Sequence, residues 1–123
     1  NASGTTLTMP ADLAGFYLSD ELTEDERWHG IHSGGTATAS TTTTGVDLGD
    51  DATAGEWQVL RLEVAITGTC RWYIDGELKQ TVENAVSTST DYAVVLAAGA
   101  NTTQLNIFDC DYILVEANRD WTV

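Results

Sequence analysis

Basic residues are almost missing from this chain. Lys79 is its single lysine, and lysine and arginine together number 5 against 19 aspartates and glutamates, a formal net charge of −14. A surface of that sign repels phosphate, which excludes direct nucleic-acid binding and disfavours anionic membranes. No apolar run is long enough to cross a bilayer, and no basic-then-apolar leader stands at the front. Proline occurs once, at Pro10, so little interrupts extended segments. Cysteine occurs twice, at Cys70 and Cys110, with no zinc or redox spacing. Both fall in predicted strands and read as buried thiols acting as small hydrophobes. A bond between them needs Cα atoms within about 7 Å, which sequence spacing does not decide.

What is present is alternation. Within residues 57–66, Gln58, Leu60, Leu62, Val64 and Ile66 share one side of an extended chain, while Trp57, Val59, Arg61, Glu63 and Ala65 share the other. Such period-two patterning marks a strand with one face on a core. Thr67-Gly68 breaks the run, residues 70–75 make a second strand, and Asp75-Gly76 suits a type I′ turn into a third over residues 77–82. Trp72 shares a face with Cys70 and Ile74 and belongs to the core; Tyr73 points the other way with Arg71.

Elsewhere the elements are less sharply punctuated. Residues 1–12 read as an arm or edge strand, 13–118 as the β-domain and 119–123 as a tail. Residues 13–19 form a buried strand, and the acidic segment 20–30 is a short helix (Thr23 and Glu26 fit a capping box) or an ordered loop. Residues 31–45, rich in threonine and alanine, favour a thin-faced strand after a turn at Gly34-Gly35. Residues 46–55 read as an acidic loop. Residues 92–98 form a central buried strand and 104–116 a long strand with a bend near Asp109 and Asp111. Many short strands with polar turns and scarcely any helix indicate an antiparallel β-sandwich or barrel.

The ordered set EWQVLRLEV, GTCRWYIDGEL, YAVVLAA and DYILVE resembles the C-terminal half of a concanavalin A-like (laminin G-like) jelly roll, and GFYLSDELTEDE resembles a segment of this fold found in tailed-phage virion proteins. The resemblance carries through Trp57, Tyr73-Ile74, Asp75-Gly76 and Asp111-Tyr112-Ile113. It implies an all-β jelly-roll sandwich, completed upstream of Asn1 or by a neighbouring subunit. It further implies a non-enzymatic structural protein of a virus particle, a capsid decoration or fibre domain adhering to other virion proteins as a homo-oligomer. The alternative is a carbohydrate-binding, lectin-like module of a secreted or surface protein. The glucanase branch of that superfamily needs a strand of alternating carboxylates, and residues 21–26 lack that alternation.

Candidate sites divide by chemistry. Asp47, Asp50 and Asp51 are the candidate calcium ligands, set against plain solubilising charge. Trp28, Arg71 and Tyr73 are the candidate ligand-binding side chains for a glycan. His29 and His32 have a three-residue gap that would place both on one side of a helix, without a third ligand. Glu21, Glu24, Asp25 and Glu26 read as a solvated acidic loop rather than an acid/base pair. No catalytic residue is assigned and no cofactor beyond calcium is expected.

Overall fold

The computed structural model describes residues 10–19, 22, 24, 26–40, 44–96 and 109–117. The chain divides into two compact units, Thr8–Asp91 and a second made of Asn1–Leu7 with Tyr92–Val123.

In the first unit the described residues form six strands and no helix: β1 Leu13–Tyr17, β2 Arg27–Ser33, β3 Val46–Asp51, β4 Leu60–Val64, β5 Cys70–Ile74 and β6 Glu77–Val82. They make two three-stranded antiparallel sheets in chain order, β1-β2-β3 and β4-β5-β6. The architecture is all-β and sandwich-like. Leu48 of the first sheet and Cys70, Trp72 and Ile74 of the second share one core with Ala85 and Val86; Ala14, Phe16, Trp28, Leu60, Leu62 and Val82 pack around it.

The second sheet follows its sequence pattern closely. Burial alternates along β5, with Cys70, Trp72 and Ile74 buried and Arg71 and Tyr73 half-buried. At the β5–β6 turn, Asp75 has φ 50° and Gly76 φ 82°, the two positive dihedrals that a type I′ hairpin requires. Asp75 also caps the preceding strand: its carboxylate accepts the Val59 N–H at 2.9 Å, and its own N–H donates to the Val59 carbonyl at 2.8 Å. The 57–66 run is shortened to β4, however. Ile66 lies beyond the strand and is 94% exposed, in the tight turn that Gly68 (φ 81°) completes towards β5.

The first sheet departs from several expectations. Residues 27–30 are strand, so the acidic segment ends at β2; among its described residues Arg27 N–H closes a turn on the Glu24 carbonyl at 3.0 Å. Residues 46–51, expected to be loop, are β3. Leu48 supplies an inward anchor, and the flanking carboxylates are neutralised from neighbouring strands. Of the threonine-rich stretch 31–45, residues 31–33 end β2, and its described residues after Ser33 form no strand, only a bridge from Ser40 to His32. The Ser40 hydroxyl, buried here, is shared between the Gly30 and Thr44 carbonyls, each at 3.0 Å. Residues 41–43 and 118 lie outside the described set, as do residues 1–9 of the expected arm and the whole tail, 119–123.

Residues 92–96 and 109–117 of the second unit also differ from the strands expected over 92–98 and 104–116. They take no regular secondary structure, and Tyr92, Val94, Val95, Leu96 and Tyr112 are exposed. Apolar patterning gives a segment a preference for extension, but a strand exists only when a second segment meets its backbone groups. The remaining residues of both expected strands lie outside the described set.

Candidate functional site

The outward face of the second sheet gathers two of the candidate residues and two that the sequence reading passed over. In β5, Arg71 and Tyr73 are two apart and so share that face. The ladder sets Arg61 opposite Tyr73, Glu63 opposite Arg71, and Leu78 on the far side of Tyr73. The Arg61 guanidinium lies 3.9 Å from the centre of the Tyr73 ring. Glu63 holds both partners in place, one oxygen 3.4 Å from the Arg61 guanidinium and the other accepting the Tyr73 hydroxyl at 3.0 Å. A guanidinium over an aromatic ring at a partly exposed site contributes on the order of 0.5–1 kcal/mol. That stack already covers one face of Tyr73, so a sugar ring could use this side only by displacing Arg61.

Trp28 does not join them. It sits in β2 of the other sheet, edge-on to Phe16 at 6.4 Å between ring centres, with its indole N–H donated to Gln58 at 2.9 Å. Packing and hydrogen bonding of this kind make Trp28 a tie from β2 to β1 and to the segment that leads into β4. Trp57, not singled out for binding, is the most exposed described tryptophan, at 69%.

The three aspartates are brought to cations rather than to one another. Asp47 and Asp51 converge on Arg27, at 3.0 and 3.3 Å, with Glu24 at 3.8 Å. Asp50 reaches Lys79 in the other sheet at 3.0 Å. The second oxygen of Asp47 accepts the Gly49 N–H at 2.7 Å. That hydrogen bond, aided by Arg27, holds the Asp47 carboxyl below its ordinary range. Among the described residues no group of three or more histidines, cysteines or acids stands placed to hold a metal ion.

His29 and His32 are both buried but cannot act together, because a three-residue step along a strand puts them on opposite faces. His32 lies beside Trp72, ring centres 6.0 Å apart, with a ring nitrogen 3.3 Å from the Ala85 carbonyl. His29 places a ring nitrogen 2.8 Å from the Arg27 carbonyl. Glu24 and Glu26 are exposed, while Glu21 and Asp25 lie outside the described residues. Both cysteines are free thiols. Cys70 is buried, and burial pushes its thiol up to about 11, leaving it unreactive at neutral pH. Cys110, expected to be buried, is exposed, since the strand meant to carry it inward does not form over residues 109–117.

Arg61 and Glu63 were legible in principle. Counting outward from the Thr67-Gly68 break pairs residue 71 with 63 and residue 73 with 61. No known family model matches the chain, and neither curated protein sequences nor solved structures give a match.

Proposed function

We propose that this chain is a non-enzymatic jelly-roll sandwich of the concanavalin A-like type that works by protein–protein adhesion, as a structural component of a tailed-phage particle. The particle setting, with capsid or other virion proteins as partners, comes from the resemblance of the 13–116 segment. The observation that supports adhesion is the open border of β4. Among the described residues its only ladder partner is β5. Around that border Trp57, Val59, Val64 and Ile66 are 69, 54, 50 and 94% exposed. An edge strand flanked by bare apolar side chains, with neither proline nor lysine to blunt it, is a template for docking against another polypeptide.

The test is gold-labelled antibody against the chain, applied to particles banded on a density gradient from the native source. Labelling of particle surfaces is the expected result. Particles free of label, together with specific retention on a glycan array with or without calcium, would overturn the reading in favour of a lectin-like module.

A further inference from the structure

Four basic side chains lie among the described residues, and three are committed to carboxylates. Arg27 faces Glu24, Asp47 and Asp51; Lys79 lies 3.0 Å from Asp50 and 2.9 Å from Glu77; Arg61 holds Glu63. Arg71 is the exception. In a chain with 19 acidic residues it has no carboxylate at ion-pair distance among the described residues, although Glu63 stands directly across the ladder. Glu63 instead serves Arg61 and the Tyr73 hydroxyl. Further along the same sheet, Leu78 stands opposite Tyr73 and Val59 lies level with Asp75, 48 and 54% exposed.

We infer that the outward face of the β4-β5-β6 sheet pairs with the same face of a second copy of this chain, Arg71 of one copy meeting the partner's Glu63. The inference rests on the adhesion reading and specifies its partner. A two-fold contact demands a surface complementary to itself. A cation and an anion side by side on one sheet face satisfy that demand, because a two-fold axis between them superposes each on the other's counterpart. Charge selects this face as well. Two chains of −14 repel, and they approach at least cost where bases outnumber acids, as Arg61 and Arg71 do Glu63. Arginine and tyrosine among apolar side chains is also the composition that buried interface centres favour. Stacked sheets lie about 10 Å apart, within reach of Arg71 and the partner's Glu63.

Sedimentation velocity of the 123-residue chain over a concentration series tests this. A reversible monomer–dimer equilibrium is expected, weakened about 30-fold or more by Arg71→Glu, since a like-charge contact replaces a desolvated pair. Leu78→Glu, at an exposed position, gives an independent loss of association. The swap Arg71→Glu with Glu63→Arg recovers the dimer, which a purely structural role for Arg71 would not do. Near-UV dichroism of the Trp72 core verifies folding of each variant. A wild type that stays monomeric throughout, or an Arg71→Glu variant that associates as tightly as wild type, overturns the dimer. A monomeric chain that still labels particles removes this interface alone; a dimer absent from particles removes the particle reading alone.

Discussion

In the β4-β5-β6 sheet, intervals of five residues (65–69) and two residues (75–76) join neighbouring strands; in β1-β2-β3 the intervals are nine (18–26) and twelve (34–45). Short turns with preset dihedrals make the second sheet nearly self-sufficient, because each strand finds its neighbour at once. The first sheet relies on side chains and turns distant in sequence, some of them in the other sheet. Arg27 draws β2 and β3 together through Asp47 and Asp51. The Trp72 indole N–H donates to the Gly15 carbonyl in β1 at 2.8 Å. Gly35 and Ala37 N–H groups donate to the Ala85 and Asn84 carbonyls at 3.3 and 3.0 Å, fastening the turn after β2 to the turn after β6. One sheet is therefore a scaffold, and the other is assembled upon it.

Removing the scaffold's central side chain gives the largest expected effect. Trp72 is fully buried and carries the only described hydrogen bond from β5 to β1. Trp72→Ala is expected to cost about 3–5 kcal/mol, the range for deleting a large aromatic from a core. Urea denaturation measures it. Amide exchange sharpens the comparison: β1 and β2 should lose protection before β4 and β6 do. Equal loss in both sheets would mean that neither leans on the other.

The clasp between the turns comes next. A Cβ added to Gly35 would stand 1.9 Å from the Asn84 carbonyl oxygen and 2.6 Å from the Ala85 carbonyl carbon, both backbone atoms that cannot rotate away. Gly76 has φ 82° but nothing within 4 Å, so an added methyl meets only dihedral strain. Gly76→Ala is expected to cost about 1 kcal/mol. Gly35→Ala is expected to cost more, towards about 3 kcal/mol, as overpacking against fixed backbone does. Thermal denaturation of the two variants separates these mechanisms. A milder effect at Gly35 than at Gly76 would show that the clasp yields.

The same contrast governs what could be read from the residues alone. The β4-β5-β6 sheet was legible because its information is local: alternation from Leu60 to Val64, a break at Gly68, an Asp-Gly turn, and the Cys70-Trp72-Ile74 side facing inward. The all-β class followed from the same signals. The start of β2 and the whole of β3 were not legible, since 20–30 read as a short helix or a loop and 46–55 as a loop until Arg27 joins the two through Asp47 and Asp51. That pairing spans 20 residues to Asp47 and 24 to Asp51, and no local period encodes it. The run 92–98 misled in the opposite direction: its apolar residues carry the preference for extension, while the partner that would realise it is a long-range property. For the site, the shared side of Arg71 and Tyr73 followed from parity. Trp28 did not, because its neighbours Phe16 and Gln58 come from distant segments.

A counter-charge that builds a strand should leave a mark on the acid limb of stability, and Asp47 is where to look. The Gly49 N–H and then Arg27 hold its folded-state carboxyl below the ordinary value of 3.8. A carboxyl depressed on folding contributes stability that is complete above its unfolded value and is lost as pH falls through the folded one. Asp47→Asn keeps an oxygen for the Gly49 N–H and discards the charge that Arg27 meets. The variant should therefore be slightly less stable than wild type near neutrality, and the gap should close as pH falls below about 4. The effect is the smallest of the three, since the Asp47 side chain is 35% exposed and its pair with Arg27 is screened by solvent. Urea midpoints for both proteins, followed from neutral pH into the acid range, measure the gap. A gap that stays constant would assign the joining of β2 and β3 to the backbone ladder and to Leu48, with the Arg27 cluster merely decorating a sheet that forms without it.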